Sequence, residues 1–418
     1  MTQWNPIWLV EIDGVEYTNA VLANLTIRSG RTNIYEQARA GYVNLQLIDI
    51  SQSTIPVSIN STISVRIKDT SNAFVSIFGG SVVDIGLEVR DVGSTTFTQT
   101  YSITALGALA RLPKVIFTDA LARDFDGDQI YEVLQSVLFN SWAQVAGSVT
   151  WGTYTPAGTT WATAENNGLG EIDRPGNYDL SARGGGSDPI DVYSLVAALA
   201  TSGLGYIYED SLGRIGYADS THRTNYLAAN GYVDLDANHA RAAGLRIETR
   251  VGDVRNAITI LYGANSQNDV SDSDPASIAI YGNLAQIITT TLHDAGDASA
   301  QAAFYLSLRA NPQPIFSQIS FDLTNPEIDD ADRDNLLNVF MGEAIALNNL
   351  PLNMNSGTFQ GFVEGWSFQA SYNQLSVTLL LSPLAYSLQA MRWNDVPITE
   401  RWNSVSPTLN WENATIVA

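Results

Sequence analysis

Three histidines, His222, His239 and His293, are the chain's only imidazoles, and cysteine is absent. Without thiols there can be no disulfide, zinc–thiolate site, cysteine nucleophile or iron–sulfur cluster. No histidine lies within metal-ligand spacing of another. Each stands in a polar stretch, where a solvated or capping imidazole is the expectation. A Ser–His–Asp site on a nucleophile elbow needs Gly-x-Ser-x-Gly, which does not occur. Asp124-Phe125-Asp126-Gly127-Asp128 sets three carboxylates at alternate positions, as a calcium loop does. Gln129 and Gln135 stand where an EF-hand requires glycine and a bidentate glutamate. Helix capping by Asp126, with Gln129 three residues on, is therefore expected instead. The pairs Glu209–Asp210 and Asp329–Asp330 could be read as glycosidase acids. Among 43 acidic residues, a solvated charged face explains them better. Gly184-Gly185-Gly186 lacks the lysine and spacing of a phosphate loop and reads as a flexible loop. No catalytic residue, metal or cofactor is expected.

The elements around these residues are mostly strands. The 418 residues suggest two to four domains, and 45% apolar content allows a sizeable core. The net charge of −22 repels phosphate and argues against specific nucleic-acid binding and against docking on anionic lipid. The N-terminus lacks the basic and apolar regions of a secretory signal, and no apolar run approaches membrane-spanning length. Residues 1–118 read as closely spaced strands. Trp8–Ile12 enters an Asp13-Gly14 hairpin turn, Val43, Leu45 and Leu47 share one face, and Ile63 to Lys68 alternates likewise. Ile130, Val133, Leu134, Val137, Leu138 and Trp142 then form one face of a helix. Residues 147–187 read as loop, and a second helix is expected with Asp188 as N-cap and Pro189 at N1, ending at Gly203 or Gly205. A hairpin over Tyr206–Tyr217 completes a mixed α/β unit at 119–243. Residues 244–390 return to strands with short helices near 298–308 and 330–340, a polar loop at Asn265–Asp274, and a closing hairpin over 359–381. In the extension 391–418, Trp393, Trp402 and Trp411 recur every nine residues. They either pack on their own domain or dock on a neighbouring subunit.

The chain also resembles a family, through segments in a particular order. These are Trp8–Gly14, Ser29-Gly30-Arg31-Thr32, Ala40-Gly41-Tyr42, Phe78–Asp84, Leu204–Asp210 with Gly213-Arg214-Ile215, Asp253–Asn256, Phe362–Ser367 and Leu379–Pro383. Their order resembles the minor tail proteins of long-tailed phages and, through them, the tail-tip or baseplate hub. The resemblance implies an α+β, mainly β fold: two tail-tube-like β-barrel domains, at 1–118 and 244–390, flank the α/β domain, and the Trp-rich tail follows. It also implies a homotrimer whose six barrels match a hexameric tube. Its partners would be tail-tube or distal-ring proteins and receptor-binding tip proteins, with phage DNA passing through unbound. A tail-associated wall hydrolase would need an acid or nucleophile pair in a cleft. A carbohydrate-binding receptor protein would use the three tryptophans as sugar platforms.

Overall fold

The computed structural model describes residues 4–17, 20–49, 55–91, 97–140, 171–186, 189–241, 246–312, 315–352, 357–371 and 373–383. Trp393, Trp402 and Trp411, the 391–418 extension and residues 147–170 lie outside the described residues.

Seven strands come first: β1 (Trp8–Ile12), β2 (Val15–Tyr17), β3 (Ala20–Gly30), β4 (Tyr42–Asp49), β5 (Thr62–Lys68), β6 (Phe74–Asp91) and β7 (Phe97–Leu106). Asp13 (φ 50°) and Gly14 (φ 76°) supply the two left-handed residues of the β1–β2 turn. The two alternating runs behave as expected. Val43, Leu45, Leu47, Ile63, Val65 and Ile67 are each at most 1% exposed. Each contributes roughly 1.5–3 kcal/mol of burial.

The centre of the chain holds β8 (Ile116–Phe117), β9 (Asp124–Phe125), α1 (Asp126–Asn140), β10 (Asp179–Leu180), β11 (Ile190–Asp191) and α2 (Val192–Ser202). The hairpin β12 (Tyr206–Glu209) and β13 (Ile215–Ala218) and the helix α3 (His222–Asn230) follow. The α2 cap is Asp191, whose carboxylate accepts from Ser194 N, not Asp188, and the helix ends at Gly203. Pro189 precedes a strand rather than opening the helix, because Ile190–Asp191 pairs with β8. Asp126 does not cap α1 as expected, for its carboxylate is turned to Asn177 N, Tyr178 N and the Tyr217 hydroxyl.

The remaining elements are β14 (Val233–Asp236), β15 (Arg246–Glu248), β16 (Ala257–Tyr262), β17 (Asn268–Ser273), α4 (Pro275–Tyr281), β18 (Ala285–Thr289), α5 (Ala295–Arg309), β19 (Ile315–Asp322), α6 (Asp330–Leu337), β20 (Ala344–Asn348), β21 (Phe359–Ser371) and β22 (Gln374–Pro383). The expected polar loop at Asn265–Asp274 contains strand β17, an edge beside β16. Nearly all its residues are exposed, so it carries no apolar alternation to reveal it. Asn256, fully buried, donates to Gly282 O and accepts from Leu284 N, pinning the α4–β18 turn against β16.

The fold is mainly β with helices, as expected. Its largest sheet has thirteen strands in the path β15–β19–β22–β21–β3–β4–β7–β6–β5–β1–β2, with β20 joined to β21 and β14 to β20. Two runs of strands far apart in sequence are thus one hydrogen-bonded surface, joined where β3 meets β21. The segment expected to end the α/β unit contributes β14 to this surface, parallel to β20.

Candidate functional site: the seam between the two strand runs

The β3–β21 ladder runs antiparallel from Gly30↔Gly365 to Asn24↔Ser371. At its tight end the two backbones almost touch. A Cβ on Gly30 would lie 2.3 Å from Glu364 O and 2.5 Å from Gly365 Cα, and Gly30 has φ +86°. A Cβ on Gly365 would lie 2.7 Å from Arg31 O. Only two glycines allow this approach.

A bulge in β21 falls between Val363 and Gly365. It interrupts the alternation, so Phe362 to Trp366 are all buried and Glu364 is aimed inward. Its carboxylate accepts from Arg31 Nε at 2.6 Å, from both terminal nitrogens of Arg223 at 2.7 and 2.9 Å, and from Ser382 Oγ. Burial alone would raise the Glu364 pKa. The Arg223 and Arg31 charges and the hydrogen bonds outweigh it and bring the group down to about 2. Burial lowers Arg31, against the pull of Glu364. For Arg223 the same burial is outweighed by Glu364, and its pKa is raised. The Tyr206 ring lies under both guanidiniums, at 5.1 and 4.7 Å. One knot therefore ties the end of β3, β21, β22, the β12 hairpin and α3.

Other contacts fasten the central unit to the first strand run. Glu209 accepts from Gly41 N at 2.7 Å and from Leu109 N. The space it fills exists because Gly107 has no Cβ. Burial pushes its carboxyl up to about 7. Gln37 extends the β12 edge, accepting from Ile207 N and donating to Gly205 O. The first run also reaches the second at the β5–β6 turn, where Thr70 N donates to Asp334 of α6 at 2.9 Å.

Several sequence expectations change here. Glu209 and Asp210 do not form a solvated face, since Glu209 closes a joint and Asp210 accepts from Arg214 N in the hairpin turn. Asp329 and Asp330 do lie on an exposed face, Asp329 capping α6 by accepting from Asp332 N and Asp330 pairing with Arg333. The three aspartates of the calcium-like stretch diverge: Asp124 meets Phe125 N, Asp126 is buried, and Asp128 pairs with Arg174. His222 is 3% exposed, with Nδ1 2.6 Å from Asp173, not solvated. His239 and His293 are half-buried, His239 lying 3.5 Å from Asp332.

Glu343 offers a pH test at the edge of the seam. It is 6% exposed, and burial raises its pKa to about 8. The folded protein keeps a proton that the unfolded chain releases above about 4.5, the carboxyl's ordinary value. Stability is thus expected to fall as pH rises from about 4.5 through 8. Glu343→Gln is expected to flatten that decline in thermal scans at stepped pH; an unchanged slope would contradict it.

No protein-family profile matches the sequence, and no curated protein matches it. Solved structures do. A tail protein from Neisseria meningitidis MC58 aligns over 92% of this chain and 98% of its own, with 13% identity and a TM-score of 0.55. The 43 kDa tail protein of prophage MuSo2 from Shewanella oneidensis aligns over 91% and 99%, with 12% identity and the same TM-score. The chain has the fold of phage tail proteins. The sequence resemblance pointed to that fold, and the likeness covers the central unit as well as both strand runs. In this chain the Arg31–Glu364–Arg223 knot lies where the two strand runs join.

Proposed function

We propose that the protein is a structural, non-enzymatic subunit of a phage tail, acting as the hub at its tip. The observation that carries this reading is the β3–β21 seam in a tail-protein fold. Strand pairing fixes the angle between the two runs, and the buried knot stops them hinging. In this reading each run is one tube-like β domain, so three chains present six. The ring matches a sixfold tube above and a threefold tip below. The central unit braces the pair through Glu209, Gln37 and Arg223.

The net charge of −22 suits a passage that conducts DNA without holding it. Carboxylates on the lumen would repel phosphate within a Debye length of ~8–10 Å. Trp393, Trp402 and Trp411 would then serve contacts with neighbouring subunits. Light scattering on the purified chain is expected to give three times its mass of 45.2 kDa. Removing 391–418 is expected to shift the population toward monomer. A truncated chain that remains fully trimeric would assign those tryptophans elsewhere.

A further inference from the structure

Outside the seam, one set of side chains has the composition of a metal site. Residues 171–173 run beside β13: Tyr217 N donates to Glu171 O at 2.9 Å and Asp173 N to Tyr217 O at 3.1 Å. Ile172 bridges Tyr217 in parallel. In an extended segment the residues on either side of Ile172 point to one face, so Glu171 and Asp173 emerge together. His222, the first residue of α3, faces them. One ligand atom from each of the three lies within 4.8 Å of the others. His222 is 3% and Glu171 6% exposed, so the donors are held by the fold rather than by solvent-exposed side chains.

Charge adds a second observation. Asp219 donates its backbone N–H to Asp173 Oδ2 at 2.9 Å, which brings a further carboxylate alongside. Among the described residues neither Asp173 nor Asp219 forms an ion pair with a lysine or arginine. The buried knot at the seam compensates its carboxylate with two guanidiniums, whereas Asp173 meets the His222 imidazole.

We propose that Glu171, Asp173 and His222 bind one divalent transition metal ion of the zinc class. A buried imidazole with two carboxylates suits zinc, cobalt or manganese better than calcium or magnesium, which prefer all-oxygen sets. Nδ1 of His222, which now meets Asp173, would bind the ion in neutral form, and the ring proton would reside on Nε2. The ion would staple residues 171–173 to the start of α3, next to the Arg223 of the seam. Its role is structural.

The test uses the full-length protein, stripped with chelator and then loaded with Zn²⁺ in excess Mg²⁺. Elemental analysis after gel filtration is expected to find one zinc per chain, with a higher thermal midpoint than the stripped protein. Glu171→Gln, nearly isosteric, and His222→Gln are each expected to weaken binding at least tenfold; His239→Gln should leave it unchanged. Cobalt absorption bands on the wild-type chain give a readout independent of variant folding. Absence of retained zinc and of cobalt bands would overturn the site, leaving a plain Asp173–His222 hydrogen bond. Undiminished binding in both Glu171→Gln and His222→Gln would overturn it equally.

Discussion

Glu364→Gln is expected to lower stability by about 3–5 kcal/mol, the range for removing one partner of a buried ionic group. The carboxylate is 1% exposed and neutralises two buried guanidiniums while accepting from Ser382. The amide keeps the shape but leaves Arg31 and Arg223 as uncompensated buried charges. The pH dependence has a definite sign. The folded pKa, about 2, lies below the ordinary 4.5. The contribution is therefore complete above about 4.5 and disappears as pH falls toward 2. Thermal scans should show the wild-type advantage over Glu364→Gln at neutral pH shrinking through that window. Replacing all three groups, as Arg31→Met, Arg223→Met and Glu364→Leu, is expected to recover part of the loss, because no charge then remains buried. Equal stability of Glu364→Gln and wild type at pH 7 would show that the knot does not hold the seam.

Gly30→Ala should be comparably damaging, at about 3 kcal/mol or more. Its new methyl would sit 2.3 Å from Glu364 O and 2.5 Å from Gly365 Cα, both main-chain atoms that no rotamer change can move. The residue also has φ +86°, which alanine adopts only with strain. Gly14→Ala separates these two effects. Gly14 has φ +76° and nothing within 4 Å of an added Cβ. It should lose only the backbone preference, roughly 1 kcal/mol. The difference between the two variants, read by denaturant unfolding, measures the close approach of β3 to β21. Equal losses in both would mean that the strands can separate at no cost.

What could be read from the sequence was local. The Asp13-Gly14 turn, the buried faces of β4 and β5, and the β21–β22 hairpin follow from turn chemistry and twofold alternation. Asp188 was the expected cap of α2 because Pro189 follows it, and pairing of Ile190 with Phe117 moved the cap to Asp191. The polar edge strand β17 and the short helix α4 have too little apolar pattern to register. The seam was hidden for a different reason. Arg31 and Glu364 are 333 residues apart, and no periodicity links them. Glu364 also sits in a bulge, where the alternation that buries Trp366, Phe368 and Ala370 is interrupted. The signal that did exist was the set of segments carrying the resemblance. Ser29-Gly30-Arg31, Leu204–Asp210, Phe362–Ser367 and Leu379–Pro383 converge on the knot. The same limit hid His222, whose neighbours Glu171, buried, and Asp173, half-buried, lie some fifty residues earlier.

The most direct test of the central claim is an electron cryo-microscopy map of the assembled tail tip at a resolution that separates strands. The account predicts three copies of this chain in a closed ring, with six β domains alternating between the β1–β7 run and the β19–β22 run around one axis. A ring in which each chain contributes a single β domain, or a tip holding one copy or six, would contradict it.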